Sequence, residues 1–136
     1  MKVIMRSKAL WLLLIVLGYP ISCLWAHHSF AGTYIEDEMA SIEGELITFM
    51  YRNPHAFVHV IVEGESGEPE RWAIEWGGVT QLNRQGVNRF TLKPGDRVVV
   101  TGAPGRNPED HRLLMRGIER PSDGWTWGQR PEEVFD

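Results

Sequence analysis

The strongest constraint on the fold is a strict alternation of side chains over residues 55–62. Alternation with a period of two is typical of a β-strand, because successive side chains point to opposite faces of a sheet. One face of this predicted strand is wholly apolar, so we expect it to form part of a hydrophobic core. The apolar face comprises Ala56, Val58, Val60 and Val62, and the mixed face comprises His55, Phe57, His59 and Ile61.

Four further segments show strand patterns and complete a small all-β domain. The five predicted strands span residues 40–51, 55–62, 71–76, 97–102 and 112–120. Gly44 is the expected position of a bulge or of a coil point in the first strand, and residues 33–35 predict a short edge strand. Residues 79–85 predict one short helix that ends at Gly86. This element order predicts a five-stranded OB-like barrel, and a small open sandwich is the alternative.

The first 26 residues predict a secretory signal peptide. Three basic residues precede an apolar run that is shorter than the roughly 20 residues of a bilayer span, and Leu24-Trp25-Ala26 provides a peptidase site. An uncleaved membrane anchor and a lipoprotein site at Cys23 are the alternatives. Cleavage predicts a periplasmic or secreted protein with a barrel domain at residues 27–120 and a C-terminal tail, rich in Trp and Pro, at residues 121–136.

The charge of the chain argues against polyanionic partners. The sequence has 18 acidic and 14 basic residues, and its formal net charge is −4. Cleavage after Ala26 would remove three basic residues, no acidic one and the only cysteine, Cys23. Nucleic acids and anionic membranes bind proteins through clustered Lys and Arg, so we expect neither partner after cleavage. A mature chain without cysteine must be stabilised by its core and not by disulfides.

The predicted mature N-terminus begins with His27 and His28, and it is the most specific candidate for metal chemistry. A free N-terminal histidine chelates copper through its α-amine and Nδ1, and a second imidazole completes a site called a histidine brace. Imidazole is a favoured copper ligand. We expect His55 as the second imidazole, with His28 or His111 in support. The alternative is that the pair is an incidental chelator and that His55 bonds a carbonyl at the Asn53-Pro54 bend.

A second candidate site is an aromatic face with a polar rim on the second and third strands, where OB-like barrels bind ligands. Aromatic rings there would stack on planar or sugar rings. The alternative is that the two tryptophans only fill the core. Glu75 lies on the opposite strand face from both tryptophans, so we expect it to be solvated. The predicted ligand site comprises Arg52, Asn53, His55, Phe57, Trp72 and Trp76.

The sequence has none of the common motifs of nucleophilic, phosphate-binding or zinc-hydrolase chemistry. There is no Gly-x-Ser-x-Gly, no His-Glu-x-x-His, and Gly77-Gly78 lacks the lysine and spacing of a phosphate loop. Copper redox chemistry is the one enzymatic interpretation left open. We predict that the chain is a binding or accessory module for a small ligand or an envelope partner protein. The alternatives are a mononuclear copper protein and, if Trp125 and Trp127 are exposed, a small subunit of an envelope complex.

Four motifs occur in an order that resembles a family of small exported bacterial proteins, catalogued as a domain of unknown function (family 6152). The resemblance covers residues 26–118. It implies an exported, β-rich domain, and it implies no activity. The motifs are Ala26-His27-His28-Ser29-Phe30, Asn53-Pro54-His55, the Arg71-Trp72 strand that ends at Gly77-Gly78, and Leu92-Lys93-Pro94-Gly95-Asp96.

Overall fold

A computed structural model describes residues 30–128, which contain a closed five-stranded β-barrel with one additional strand. The helix α1 (Val79–Arg84) connects the third and fourth strands, and a 3-10 turn at Pro108–Asp110 precedes the fifth. The prediction of an OB-like barrel is confirmed. The strands are β1 (Ala40–Met50), β2 (Phe57–Glu63), β3 (Pro69–Glu75), β4 (Arg97–Pro104), β5 (Arg112–Arg120) and β6 (Trp125–Gly128).

The barrel closes through a short parallel pairing between β3 and β5. The strand order is β3-β2-β1-β4-β5-β6, and each of these neighbouring pairs is antiparallel. Ala73, Ile74 and Glu75 then pair in parallel with the first three residues of β5. This closure brings the C-terminal end of β3 beside the N-terminal end of β5, and it positions both candidate sites described below.

The hydrophobic core lies inside the barrel, where the apolar face of β2 was predicted to point. Ala56, Val58 and Val60 have no exposed surface, and Ile74 of β3 is equally buried. Leu82 of α1 is also fully buried and belongs to the same core cluster. The alternation of β2 therefore assigned its inner face correctly.

The bulge of β1 lies at Ile47 and not at Gly44. The register changes from Leu46 opposite Val60 to Thr48 opposite His59, so Ile47 is the extra residue. The insertion reverses the faces of the rest of the strand. Gly44 serves another purpose, because a Cβ there would come within 2.3 Å of a main-chain oxygen of β2. The missing side chain permits this close approach of the two backbones.

Helix α1 begins and ends as the sequence predicted. The Val79 amide donates a hydrogen bond of 2.9 Å to Asn53 Oδ1, in the loop between β1 and β2, where the Asn53–Pro54 peptide bond is cis. Gly86 follows the helix with φ of 80°, a conformation that glycine adopts without steric cost. The helix and this loop are therefore fixed to each other.

The segments that flank the five-stranded barrel extend it at both ends. The predicted edge strand at residues 33–35 is reduced to one bridge between Tyr34 and Gly105. Part of the predicted tail forms β6, which pairs with β5. The predicted signal peptide, His27 and His28 lie outside the described residues, as do residues 129–136. Across residues 30–128, no helix has the length and apolar composition needed to cross a bilayer.

Candidate functional site

Glu75, expected to be solvated, is instead a buried carboxylate at the end of β3. It is 8% exposed and lies opposite Phe57 on the outer face of the barrel. The prediction was wrong because the segment before β1 crosses this face. Tyr34, which lies in that segment, is fully buried.

Three side chains compensate the buried charge of Glu75. The Tyr34 hydroxyl donates to Glu75 Oε2 at 2.6 Å, and His55 Nδ1 lies 2.6 Å from Oε1. Arg112 Nη2 lies 3.5 Å from Oε2. A buried carboxylate is tolerated only with such partners. Burial, reinforced by the Glu75 carboxylate, raises the pKa of Tyr34 well above its usual range, so the hydroxyl remains a donor at pH values where an exposed tyrosine ionises.

His55 Nδ1 is paired with the carboxylate of Glu75, a contact that was not predicted from the sequence. Its side chain is 36% exposed. Metal-ligating histidines commonly share this arrangement, in which a carboxylate holds the second ring nitrogen. Within residues 30–128, however, no group of three or more His, Cys, Asp or Glu side chains is placed to hold a metal ion. Copper binding through His27 and His28 therefore stays a prediction.

Two residues of the predicted ligand site meet on the outer face of β2. The Arg52 guanidinium carbon lies 5.4 Å from the centre of the Phe57 ring, a cation–π geometry. Phe57 in turn stacks on His59, with ring centres 6.4 Å apart and planes inclined by 18°. Asn53, also predicted for this rim, instead accepts the hydrogen bond that begins α1.

His59 and Arg71 belong to this outer face although the predicted site omitted them. His59 Nδ1 is buried and has no hydrogen-bond partner among the described residues. Burial lowers the pKa of His59, and the charges of Arg71 and Arg52 lower it further. The alternation of β2 had placed His59 beside Phe57, so the signal for its inclusion was present in the sequence.

The two tryptophans of the predicted aromatic site lie on the inner side, away from Phe57. Trp76 is 3% exposed and packs at 5.8 Å from Phe49 and 4.8 Å from Trp127, measured between ring centres. It is a core residue, as the alternative proposed. Trp72 is half-buried. The structure therefore does not assemble these residues into one aromatic surface.

Trp72 instead faces a cleft of about 730 Å³ at one mouth of the barrel, between the start of β1, the β2–β3 loop and the β4–β5 loop. Its ring stacks on His111, with centres 5.1 Å apart and planes inclined by 22°. Glu70 Oε2 accepts a hydrogen bond of 3.3 Å from Trp72 Nε1 and lies 3.6 Å from His111 Nε2. We call this space the cleft; its walls include Ile35, Ala40, Ile42, Pro104, Arg106 and Arg112.

His111 reaches the cleft through an unusual backbone conformation. Its φ of 46° and ψ of 60° fall in the left-handed region, which non-glycine residues enter uncommonly. The residue ends the 3-10 turn and leads directly into β5. Residues in such conformations tend to cluster at functional sites. The ring stack on Trp72 and the contact with Glu70 hold the imidazole at the cleft.

Comparison with known families relates the chain to a family of proteins. The family model described as "Family of unknown function (DUF6152)" matches residues 15–114, which is most of the chain. The chain belongs to this family. No curated protein matches it. The family resemblance expected from the sequence is therefore confirmed, and the DUF6152 family brings no known activity to this member.

The candidate sites of this DUF6152 protein are consequently assigned on geometry alone. The cleft is a partly open space lined by Trp72 and His111, and the outer face of β2 and β3 carries half-buried rings beside exposed arginines. The two are separated by the alternation of β3, because Trp72 and Arg71 are neighbours in sequence and point to opposite faces of the strand.

Proposed function

We propose that this member of the family is an exported binding module that holds a small ligand in the cleft. The observation that carries the proposal is the stacked pair of Trp72 and His111 in a volume of about 730 Å³. Ligand pockets usually have volumes of about 300–1,000 Å³, and the mouths of β-barrels are common positions for them. Export is supported by the signal-peptide pattern of the first 26 residues.

The chemistry of the cleft favours a ligand with an apolar or flat portion and a polar end. Ile42 and Ala40 supply apolar wall, whereas Glu70 and His111 supply polar groups beside the indole. Because Glu70 holds Trp72 and lies next to His111, both rings are positioned before a ligand arrives. Such preorganisation reduces the entropy lost when a ligand binds.

The proposal is tested with a neutral fluorophore, N-phenyl-1-naphthylamine, titrated into the mature protein. We expect saturable binding of one molecule per chain. Trp72→Ala should weaken it by about tenfold, which corresponds to the loss of one stacking contact of about 1.4 kcal/mol. Ala40→Phe should weaken it as well, because the larger side chain fills the cleft.

The matched control for this titration is Phe57→Ala, which removes a ring from the outer face and should leave the affinity unchanged. Circular dichroism of each variant verifies that the barrel has folded. Unsaturable binding, or equal losses in Phe57→Ala and Trp72→Ala, would refute a ligand site in the cleft.

The second candidate function is copper binding by the mature N-terminus, for metal delivery or redox chemistry. It is favoured by the carboxylate-held imidazole of His55. The test is a copper(II) titration of natively processed protein, read by electron paramagnetic resonance. One tightly bound ion with a nitrogen-rich axial signal, lost in both His27→Ala and His55→Ala, would support it. Weak binding that neither variant changes would reduce the histidine pair to an incidental chelator.

A further inference from the structure

We propose that the outer face of β2 and β3 carries a second binding site, for a small ligand with an oxyanion group beside a flat ring. The oxyanion is a phosphate or a carboxylate. We call this site the outer stripe and define it by Arg52, Phe57, His59 and Arg71. It is independent of the cleft and of the function proposed there.

The aromatic part of the outer stripe is a shelf of two half-buried rings. The rings of Phe57 and His59 are inclined by only 18°, and part of each side chain is exposed. Across the strands, His59 lies between Thr48 of β1 and Ala73 of β3. Neither neighbour is charged, and Ala73 contributes only a methyl group to this face. A flat ring can stack on such a shelf.

The cationic part consists of two arginines at opposite ends of the shelf. Arg52 lies over Phe57, and Arg71 pairs across the strands with Ile61, two residues beyond His59. Both are exposed, and within residues 30–128 neither forms an ion pair with a carboxylate. A guanidinium group binds a phosphate or a carboxylate through two parallel hydrogen bonds.

The carboxylates of this face form no ion pair with the two arginines. Glu75, opposite Phe57, is buried and already bonded to Tyr34, His55 and Arg112. Glu45, opposite Ile61 on β1, and Glu63, two residues further along β2, lie on the same face but form no ion pair with Arg71. Both arginine charges also reach His59, whose pKa they lower together with burial. An anion bound over His59 would offset the positive potential of the two arginines there.

The size of the outer stripe and the charge of the chain favour a small ligand over a polymer. From Phe57 to Ile61 the strand advances about 13 Å, at roughly 3.3 Å per residue, which accommodates one ring and one oxyanion. The chain as a whole is acidic, with a net charge of −4, so an extended polyanion would be repelled outside this patch.

Phenyl phosphate is the probe that tests the site, because it combines the two features in one small molecule. Titration into isotope-labelled mature protein, followed by NMR, should shift the His59 ring signals saturably and raise the pKa of His59. Inorganic phosphate should bind about tenfold more weakly, since it lacks the ring. Phe57→Ala should remove most of this difference between the probes.

The arginines are tested individually against a matched control. Arg52→Ala and Arg71→Ala should each weaken phenyl phosphate binding by about tenfold, the effect of one charge-assisted contact. Arg84→Ala removes an exposed arginine of α1 that has no ion pair among the described residues, and it should change nothing. Trp72→Ala should also change nothing, which separates this site from the cleft.

Three results would overturn the proposal. The first is the absence of a saturable shift at His59, and the second is a loss in Arg84→Ala equal to that in Arg71→Ala, which would indicate non-specific attraction to positive charge. The third is binding of a tetraglutamate peptide without binding of phenyl phosphate, which would assign the surface to an acidic segment of a partner protein. Arg71→Lys keeps the charge without the planar fork, and wild-type affinity in it would refute the bidentate contact.

Discussion

The inner and outer faces of the β2–β3 hairpin are made by the same two strands but are stabilised in different ways. On the inner face, Val58, Val60 and Ile74 are apolar and fully buried by the rest of the barrel. On the outer face, Glu75 is nearly as buried, although it is a carboxylate, because Tyr34 covers it from a segment 41 residues away. The first face is specified by local alternation, whereas the second depends on a partner that alternation does not reveal.

The largest effect is expected on the inner side, at Trp76. Trp76→Ala would lower the free energy of unfolding by about 4 kcal/mol, because it leaves a large cavity between Phe49 and Trp127. Trp72→Ala is the matched control, since Trp72 is only half-buried and lines the cleft. Urea denaturation should show a distinctly smaller loss for Trp72→Ala. Equal losses would contradict the assignment of one tryptophan to the core and the other to the cleft.

The next effect concerns the charge on the outer face. Glu75→Ala would lower the free energy of unfolding by about 3 kcal/mol, because it removes the buried carboxylate that Tyr34, His55 and Arg112 contact. Glu43→Ala is the control, because Glu43 bonds Arg97 on an exposed surface, where an ion pair contributes little. A loss in Glu75→Ala no greater than in Glu43→Ala would mean that the Glu75 network does not stabilise the fold.

A smaller effect is expected from the tyrosine that covers this carboxylate. Tyr34→Phe would lower the free energy of unfolding by about 2 kcal/mol at neutral pH, because it removes one buried hydrogen bond to a charged acceptor and keeps the ring. Tyr51→Phe is the control: its hydroxyl lies near Asn83 and Val87 at an exposed or part-buried position. Chemical denaturation of both variants at pH 7 compares them directly.

Tyr34 also makes the stability of the fold depend on pH in the alkaline range. Because the pKa of Tyr34 is raised in the folded chain, the unfolded chain loses this proton first, at its usual pKa of about 10. The contribution of Tyr34 to the free energy of unfolding is then fully present below pH 10, and it is lost as the pH rises above 10. The fall should be less steep in Tyr34→Phe, by up to about 1.4 kcal/mol per pH unit. Identical slopes in the two proteins would show that Tyr34 titrates normally.

The comparison of the two faces also explains which features could be predicted from the sequence. The five barrel strands, the helix end at Gly86 and the inner face of β2 follow from periodicity and turn chemistry, and they were predicted correctly, whereas the edge strand at residues 33–35 and the place of β6 were not. The bulge was assigned to Gly44 because glycine is common in bulges, but the extra residue of the bulge is Ile47. The insertion depends on how β1 fits two partner strands at once, which is a property of the closed barrel.

The candidate sites were harder to predict because they depend on contacts distant in sequence. Arg52 and Phe57 meet as expected, since both lie near the start of β2. Trp76 was grouped with Phe57, although its alternation with Ile74 directs it inward. The stack of Trp72 on His111 requires the parallel pairing of β3 with β5, which no local pattern indicates. The sequence thus identified several site residues but not how they are grouped.

The smallest expected effect on stability comes from the pKa of His59, which lies on the outer face. We expect an NMR titration to place its pKa below the usual value of about 6.5, because burial and the charges of Arg71 and Arg52 disfavour its protonated form. The unfolded chain then binds a proton at His59 more readily than the folded chain does. The contribution of His59 to stability is therefore fully present above pH 6.5, and it is lost as the pH falls below 6.5. Arg71→Ala should raise the pKa of His59, and Arg97→Ala, whose charge is paired with Glu43, should not. If Arg71→Ala left the pKa unchanged, the charge of Arg71 would not contribute to the shift, and burial together with Arg52 would account for it.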